Sequence, residues 1–207
     1  MLLDRLQIIP FEIELRDTID AALFQFNELK TAAKAALVAQ NASRASRQLT
    51  QQLLDAQGRA QSRTFDQLEA FLAAFSRVSL LIFPVSNTSF TKRRAETMQR
   101  CLNIDRISIV ADREFRDSWV HHDERLDRAV KNKTGRSGQA FCRSDESPAS
   151  KLETFLRVIE LDTLVVHYRA RDGAARSANL KDAFAALKTL DRRRKRAFDQ
   201  LSVPDCD

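Results

Sequence analysis

Arg116, Asp117 and His121 stand close together in the stretch FRDSWVHHDERLDR, residues 115–128, which also holds His122 and the chain's only tryptophan, Trp119. An imidazole titrates near neutral pH and can carry a proton. A guanidinium stays cationic and presents a planar donor fork suited to a phosphate. Asp117 precedes His121 by four residues, the spacing at which side chains meet on a helix, so its carboxylate could orient the imidazole and favour its protonated form. Together these residue types suit proton transfer beside a charged phosphate. The same residues also read as a solvated helix face. Asp117, His121 and Arg125 follow at i,i+4 steps, and such pairs are worth only a few tenths of a kcal/mol each.

At about 100° per residue, Phe115, Trp119, His122, Leu126 and Ala129 fall in one narrow arc, the expected buried stripe. His122 therefore reads as a hydrogen-bonded core residue, and His121 lies at the edge of the stripe. Arg116 and His121 are five residues apart, about 140° around a regular helix. One regular helix therefore does not aim both at one phosphate.

Arg116-Asp117-Ser118-Trp119-Val120-His121 is an arginine, a polar residue, three more residues and a histidine. This resembles the Arg-x4-6-His signature of the HEPN superfamily, in which asparagine, aspartate or histidine commonly follows the arginine. The resemblance covers roughly residues 10–130, and its HHDERLD tail is similar to uncharacterised bacterial HEPN-like proteins. It implies an all-helical bundle and a metal-independent endoribonuclease acting as a homodimer, with no cofactor. In that chemistry the RNA 2′-hydroxyl attacks the adjacent phosphate, leaving a 2′,3′-cyclic phosphate and a 5′-hydroxyl. His121 would handle protons, Arg116 would stabilise phosphate charge, and Asp117 would orient the histidine. A toxin–antitoxin or defence setting, with RNA as substrate and an antitoxin or other protein partner, is also implied. Several members keep the fold without the activity and serve as interaction or dimerisation modules. In that case Arg116 and Asp117 pair with each other, and Trp119 and His122 pack an interface.

The elements that must position these residues are mainly helical. Leu15, Ile19, Leu23, Phe26, Leu29, Ala33 and Leu37 recur at steps of three and four, predicting a helix from about Pro10 to Ala39, with Pro10 in its first turn and Glu12 and Glu14 at the positive end of its dipole. A second helix is predicted over 46–83, with Gly58 and a nearby serine as candidate bends and Pro84 ending it. Two long helices joined by QNASRAS imply an antiparallel hairpin. Shorter helices are expected over 90–102 and 106–130. Residues 131–151, with two glycines and a proline, read as a loop. The β-branched and aromatic residues around ELDT predict a hairpin, 154–159 with 163–168, and a closing helix spans 178–201. The expected organisation is a helical domain over 1–131, a loop over 132–152, and a hairpin plus helix over 153–207 joined to the same core.

Composition narrows the classes further. The 207 residues carry a net charge of +6, 43% apolar and 30% charged residues, and only four glycines and four prolines. That balance favours a globular chain of a few long helices over disorder or many short strands. The basic excess permits a nucleic-acid partner without requiring one. The run DRRRKR (191–196) suits RNA backbone contact or a cationic helix end, and TKRR (91–94) reads the same way. A helical nucleic-acid-binding adaptor is thus a third functional class. Cys101, Cys142 and Cys206 are too few and too scattered for a disulfide framework or zinc site, and suggest free thiols in a reducing compartment. The adjacent histidines point about 100° apart and suit no shared metal. His167 reads as structural, and TGRSG lacks the ending of a phosphate loop. Acidic residues at Asp4 and Glu12 argue against a secretory signal, and VSLLIFPV is too short to span a bilayer, so a cytoplasmic location without membrane association is expected.

Overall fold

A computed structural model describes residues 3–46, 48, 50–104, 109–120, 127, 131, 138–170 and 172–199. Helix α1 (Arg5–Ala45) starts earlier than the apolar spacing suggests, because Asp4 and Gln7 form a reciprocal capping box there. Pro10 therefore sits inside the helix, where it forfeits one backbone bond, rather than in the first turn. Glu12 and Glu14 consequently lie beyond the first turn. Helix α2 (Gln51–Ile82) is capped by Thr50 and continues through Gly58. With only five residues between them, α1 and α2 fold back and pack along each other, the most extensive pairing of elements. Helix α3 (Ser89–Leu102) is capped by Thr88 and closed by Asn103 in the left-handed region, φ 46°.

A 3-10 turn over Ile109–Ala111 then leads to α4 (Arg113–Val120). The helix expected from residue 106 thus begins at Arg113. The cause is Asp112, whose Oδ1 accepts from the backbone N–H of Glu114 and Phe115. The expected continuation of this helix to 130 runs beyond the continuously described residues.

The segment read as a loop holds two elements. Strand β1 (Gln139–Cys142) and helix α5 (Pro148–Thr154) are both too short to announce themselves by period, and Pro148 sits at the N-terminus of α5, where it suits a helix start. The expected hairpin exists as β2 (Arg157–Glu160) and β3 (Val165–Arg169), set two to three residues later than the spacing suggested at its start. A further strand, β4 (Ala175–Asn179), pairs with β3. ARSAN carries no apolar alternation because β4 is an edge strand with its first three residues exposed. Gly173, φ +85°, turns the chain between β3 and β4. The sheet order is β1-β2-β3-β4, parallel between β1 and β2 and antiparallel thereafter. The closing helix α6 (Leu180–Asp199) starts at Leu180, where Asn179 Oδ1 accepts from the N–H of Lys181.

The fold is thus mainly helical with a small four-stranded sheet. One face of the sheet contributes Phe141, Ile159, Val166 and Tyr168 to the same apolar core as Leu15, Phe26, Phe71, Phe75, Phe115 and Leu187. The other face buries Cys142 and Val158 beneath Leu152 of α5. Aromatic rings run through the main core in sequence: Phe184 stacks on Phe26 at 4.3 Å, and Phe71, Phe75, Phe115 and Tyr168 follow at 5.5, 6.0, 5.6 and 6.3 Å.

Gly58 offers a direct check on the helical core. It is exposed in mid-helix, and a Cβ added there meets nothing within 4 Å. Gly58→Ala is expected to stabilise the protein by about 0.5–1 kcal/mol, read as a higher urea midpoint with unchanged slope.

Candidate functional site

Helix α4 carries the two motif residues that the structure describes in full. Phe115 is fully buried between Phe75 and Tyr168, which fixes the rotation of the helix. Arg116 follows it into the interior and is only 3% exposed. Its Nε donates to Asp117 Oδ1 at 2.8 Å, so the arginine and the aspartate are each other's partners. Nη1 of Arg116 is buried without a hydrogen-bond partner. Trp119 lies on α4, whereas His121 and His122 lie outside the described residues. The described structure therefore joins two of the three expected site residues, Arg116 and Asp117, in an inward-facing pair. Glu114, on the same helix, pairs with Arg176 of β4 and ties the motif helix to the sheet edge.

The third histidine sits in a polar cluster that spacing did not reveal. His167 of β3 donates from Nε2 to Glu160 Oε1 at 2.8 Å, and the Thr163 hydroxyl donates to Glu160 Oε2 at 2.5 Å. Cys142 lies opposite Glu160 in the parallel register. Burial, with the Glu160 charge adding to it, pushes the Cys142 thiol up to about 11. It is protonated at neutral pH and is no nucleophile. Cys142 and His167 stand on strands separated by β2, about 9–10 Å apart in the pairing direction, too far for a thiol–imidazole pair. The structural reading of His167 fits this geometry. The signal in the sequence was the alternation of Val158 with Glu160, and of Val165 with His167, on one sheet face.

The basic run is drawn into the fold only in part, with Arg194 buried and Arg192, Arg193, Lys195 and Arg196 exposed. Arg194 is buried and donates to Glu12 Oε1 of α1 at 2.5 Å and to Asp191 Oδ1 at 3.0 Å. Arg193 donates to the carbonyls of Leu102 and Asn103 at the end of α3. Lys195 pairs with Asp191 at 2.7 Å. In the TKRR run, Arg94 donates to the Leu80 carbonyl and lies over the Phe11 ring, 5.1 Å from its centroid. Arg194, Arg193 and Arg94 thus tie helices together, whereas the Lys195–Asp191 pair lies within α6. A cavity of about 370 Å³ beside the α2–α3 connection is lined by Lys92, Gln99 and Arg113, but not by Arg116.

Among the described residues, no group of three or more histidine, cysteine, aspartate or glutamate side chains is placed to hold a metal ion, and no helix is long and apolar enough to cross a membrane. Comparison with protein-family models, with curated proteins and with solved structures returns no match. The likeness to the HEPN superfamily therefore rests on the motif and the helical pattern alone.

The buried ion pairs predict both a mutant effect and a pH effect. Arg194→Ala leaves Glu12 and Asp191 without their shared cation and is expected to cost about 3–5 kcal/mol by urea unfolding, with Arg194→Met costing less. Burial works against the ionised form of Asp191, but the hydrogen bonds from Lys195 and Arg194 outweigh it and hold the carboxyl below its ordinary value. The hydrogen bond from Lys151 likewise holds Glu146 low. A depressed folded pKa stabilises above the unfolded value, near pH 4, and that contribution disappears as pH falls through the folded value. Unfolding free energy should thus be flat above about pH 5 and fall steeply below about pH 4, with a shallower fall in Asp191→Asn.

Proposed function

We propose that this chain is a helical interaction module, HEPN-like in its motif, in which the Arg116–Asp117 pair belongs to the framework and not to a working ribonuclease site. The observation that carries this reading is the state of Arg116. A guanidinium that receives a scissile phosphate must reach solvent, and this one is 3% exposed with its Nε bound to its own neighbour. Bringing it to a phosphate means breaking that pair and turning α4 against Phe75 and Tyr168. Two further facts support the reading. The DRRRKR run gives up Arg194 to buried ion pairs and Arg193 to the carbonyls at the end of α3, which leaves Arg192, Lys195 and Arg196 on the surface. Large apolar side chains, by contrast, stand in solvent on α1, including Leu6 at 82% and Phe24 at 60% exposure.

A metal-independent endoribonuclease is the second reading, and one observation favours it. The unpartnered Nη1 of Arg116 is a buried donor with hydrogen-bonding capacity to spare, and His121 follows five residues later. The toxin–antitoxin or defence setting belongs to this reading alone.

Incubating a pool of labelled RNAs with the protein and EDTA separates the two. The interaction module leaves the RNA intact, and His121→Ala changes neither the RNA nor the fold, whereas Arg116→Ala lowers the unfolding midpoint. Fragments ending in 2′,3′-cyclic phosphate with the wild type and not with His121→Ala would establish the nuclease instead.

A further inference from the structure

Helix α1 is apolar on two opposite faces. Setting Leu6 at 0° and advancing about 100° per residue, the buried Leu15, Ile19, Ala22, Phe26, Leu29 and Ala33 fall between about 140° and 220°. That face packs on α2 and α6. The exposed Leu6, Ile9, Ile13, Phe24 and Val38 fall between about 300° and 360°, on the side turned away from the body. Their exposures are 82, 40, 42, 60 and 60%. Exposed Ala35 and Ala42 extend the strip at about 20° and 0°. A one-sided row of large apolar residues over nine helical turns is not the scatter of single exposed hydrophobics that surfaces normally carry.

The geometry points to a second copy of this chain as the occupant, with the two α1 helices antiparallel and Phe24 at the two-fold axis. This rests on the interaction-module reading and names its partner. The first support is steric. Pairing residue i with residue 48 − i sets Leu6 opposite Ala42, and Ile13 opposite Ala35. Ile9 comes beside Val38 on the same flank, one residue from the exact register. The bulky end of each strip thus meets the small end of the other, the complementarity that fills an interface without voids. A parallel pair would crowd Leu6, Ile9 and Ile13 against their own copies and leave the alanine end open.

The second support is charge. Asp17 and Asp20, both exposed, interrupt the strip between Ile13 and Phe24. In a parallel pair each meets its own copy, and like charges repel. In the antiparallel pair neither meets its own copy: Asp17 comes level with Thr31, and Asp20 comes level with Glu28, a carboxylate that Arg63 of its own chain already pairs with at 3.6 Å. The third support is area. From Leu6 to Ala42 is about 54 Å at 1.5 Å per residue, and one helix is about 10–12 Å wide. The strip therefore offers a projected area of about 540–650 Å² per protomer, and the pair clears the roughly 1,000 Å² that a specific interface requires. Because α2 and α6 cover the opposite face, nothing described in the body of either protomer stands between the strips.

Sedimentation equilibrium of the full chain, with cysteine pairing to test register, decides the matter. The wild type is expected to dimerise at micromolar concentration. Phe24→Glu should raise the dissociation constant about 100-fold or more while leaving the helical content of the monomer unchanged, and Leu54→Glu on the exposed side of α2 should leave the dissociation constant unaltered. With Cys101 and Cys206 changed to serine, Phe24→Cys should oxidise to a covalent dimer. Leu6→Cys should link to Ala42→Cys and not to itself. A chain monomeric at all concentrations overturns this pairing and leaves the module reading to a different protein partner. A dimer indifferent to Phe24→Glu overturns the α1 interface while leaving the module reading in place. A dimer sensitive to Phe24→Glu in which Leu6→Cys links to itself overturns the antiparallel order.

Discussion

The column of rings from Phe184 through Phe26, Phe71, Phe75 and Phe115 to Tyr168 is the constraint from which most of this structure follows. It draws one residue or more from α6, α1, α2, α4 and β3, so no two of these elements can shift independently without opening a gap in the column. Each such contact is worth about 0.5–1.5 kcal/mol beyond the area it buries. Its consequence for the candidate site is direct. Once Phe115 is committed to the column, α4 has no rotational freedom. The next residue must then point about 100° away, along the α4 surface that meets the interior. Arg116 lies buried beside Phe115, and its pairing with Asp117 is the local answer to burying a charge.

The same logic explains where the positive charge goes. A chain with a net charge of +6 invites a search for a polyanion, yet Arg194, Arg193 and Arg94 are spent on Glu12, on the α3 C-terminus and on the Leu80 carbonyl. Arg194 lies 182 residues from Glu12 in sequence and joins the first helix to the last. Such a pair fixes register more than it adds stability, since desolvating both partners offsets much of their attraction. The net charge of the chain is therefore a poor measure of the cations it offers to a ligand.

What could be read in the sequence follows from element length. Leu15 to Leu37 and Leu68 to Val78 repeat long enough for a helical period to stand out, and the ELDT hairpin kept its type because Val158, Ile159, Val165 and Val166 are β-branched. The parts that escaped were set by tertiary contacts. Gln139–Cys142 is a strand because β2 offers it a parallel edge, and Ala175–Asn179 because β3 does. Nothing in QAFC or ARSAN requires either. Cap chemistry moved the helix ends: Asp4 lengthened α1, and Asp112 delayed α4. At the candidate site, the i to i+1 pairing of Arg116 with Asp117 was legible as an alternative. The burial of Arg116 was not, because it depends on what packs over α4 from elsewhere in the sequence and not on spacing within the helix.

Helix α1 shows the opposite ambiguity. Periodicity identifies the face of Leu15, Ile19 and Phe26 because its residues fall at regular steps, and a core needs such a face. Leu6, Ile9, Ile13, Phe24 and Val38 are as apolar, but Asp17, Asp20 and Asn27 interrupt them, and a single chain gives them nothing to pack on. A helix of 41 residues is far longer than a domain of this size needs to cover its own core, and its cooperative stability grows with whatever covers its outer face. An uncovered second strip raises the free energy of the lone chain by leaving large side chains in water, and pairing it with its own copy removes that cost from both protomers at once. The acidic interruptions then act as selectors. In the pairing proposed above they add a charge penalty to the steric one against the parallel arrangement, which is how a few polar groups in an apolar seam specify orientation at some expense in affinity.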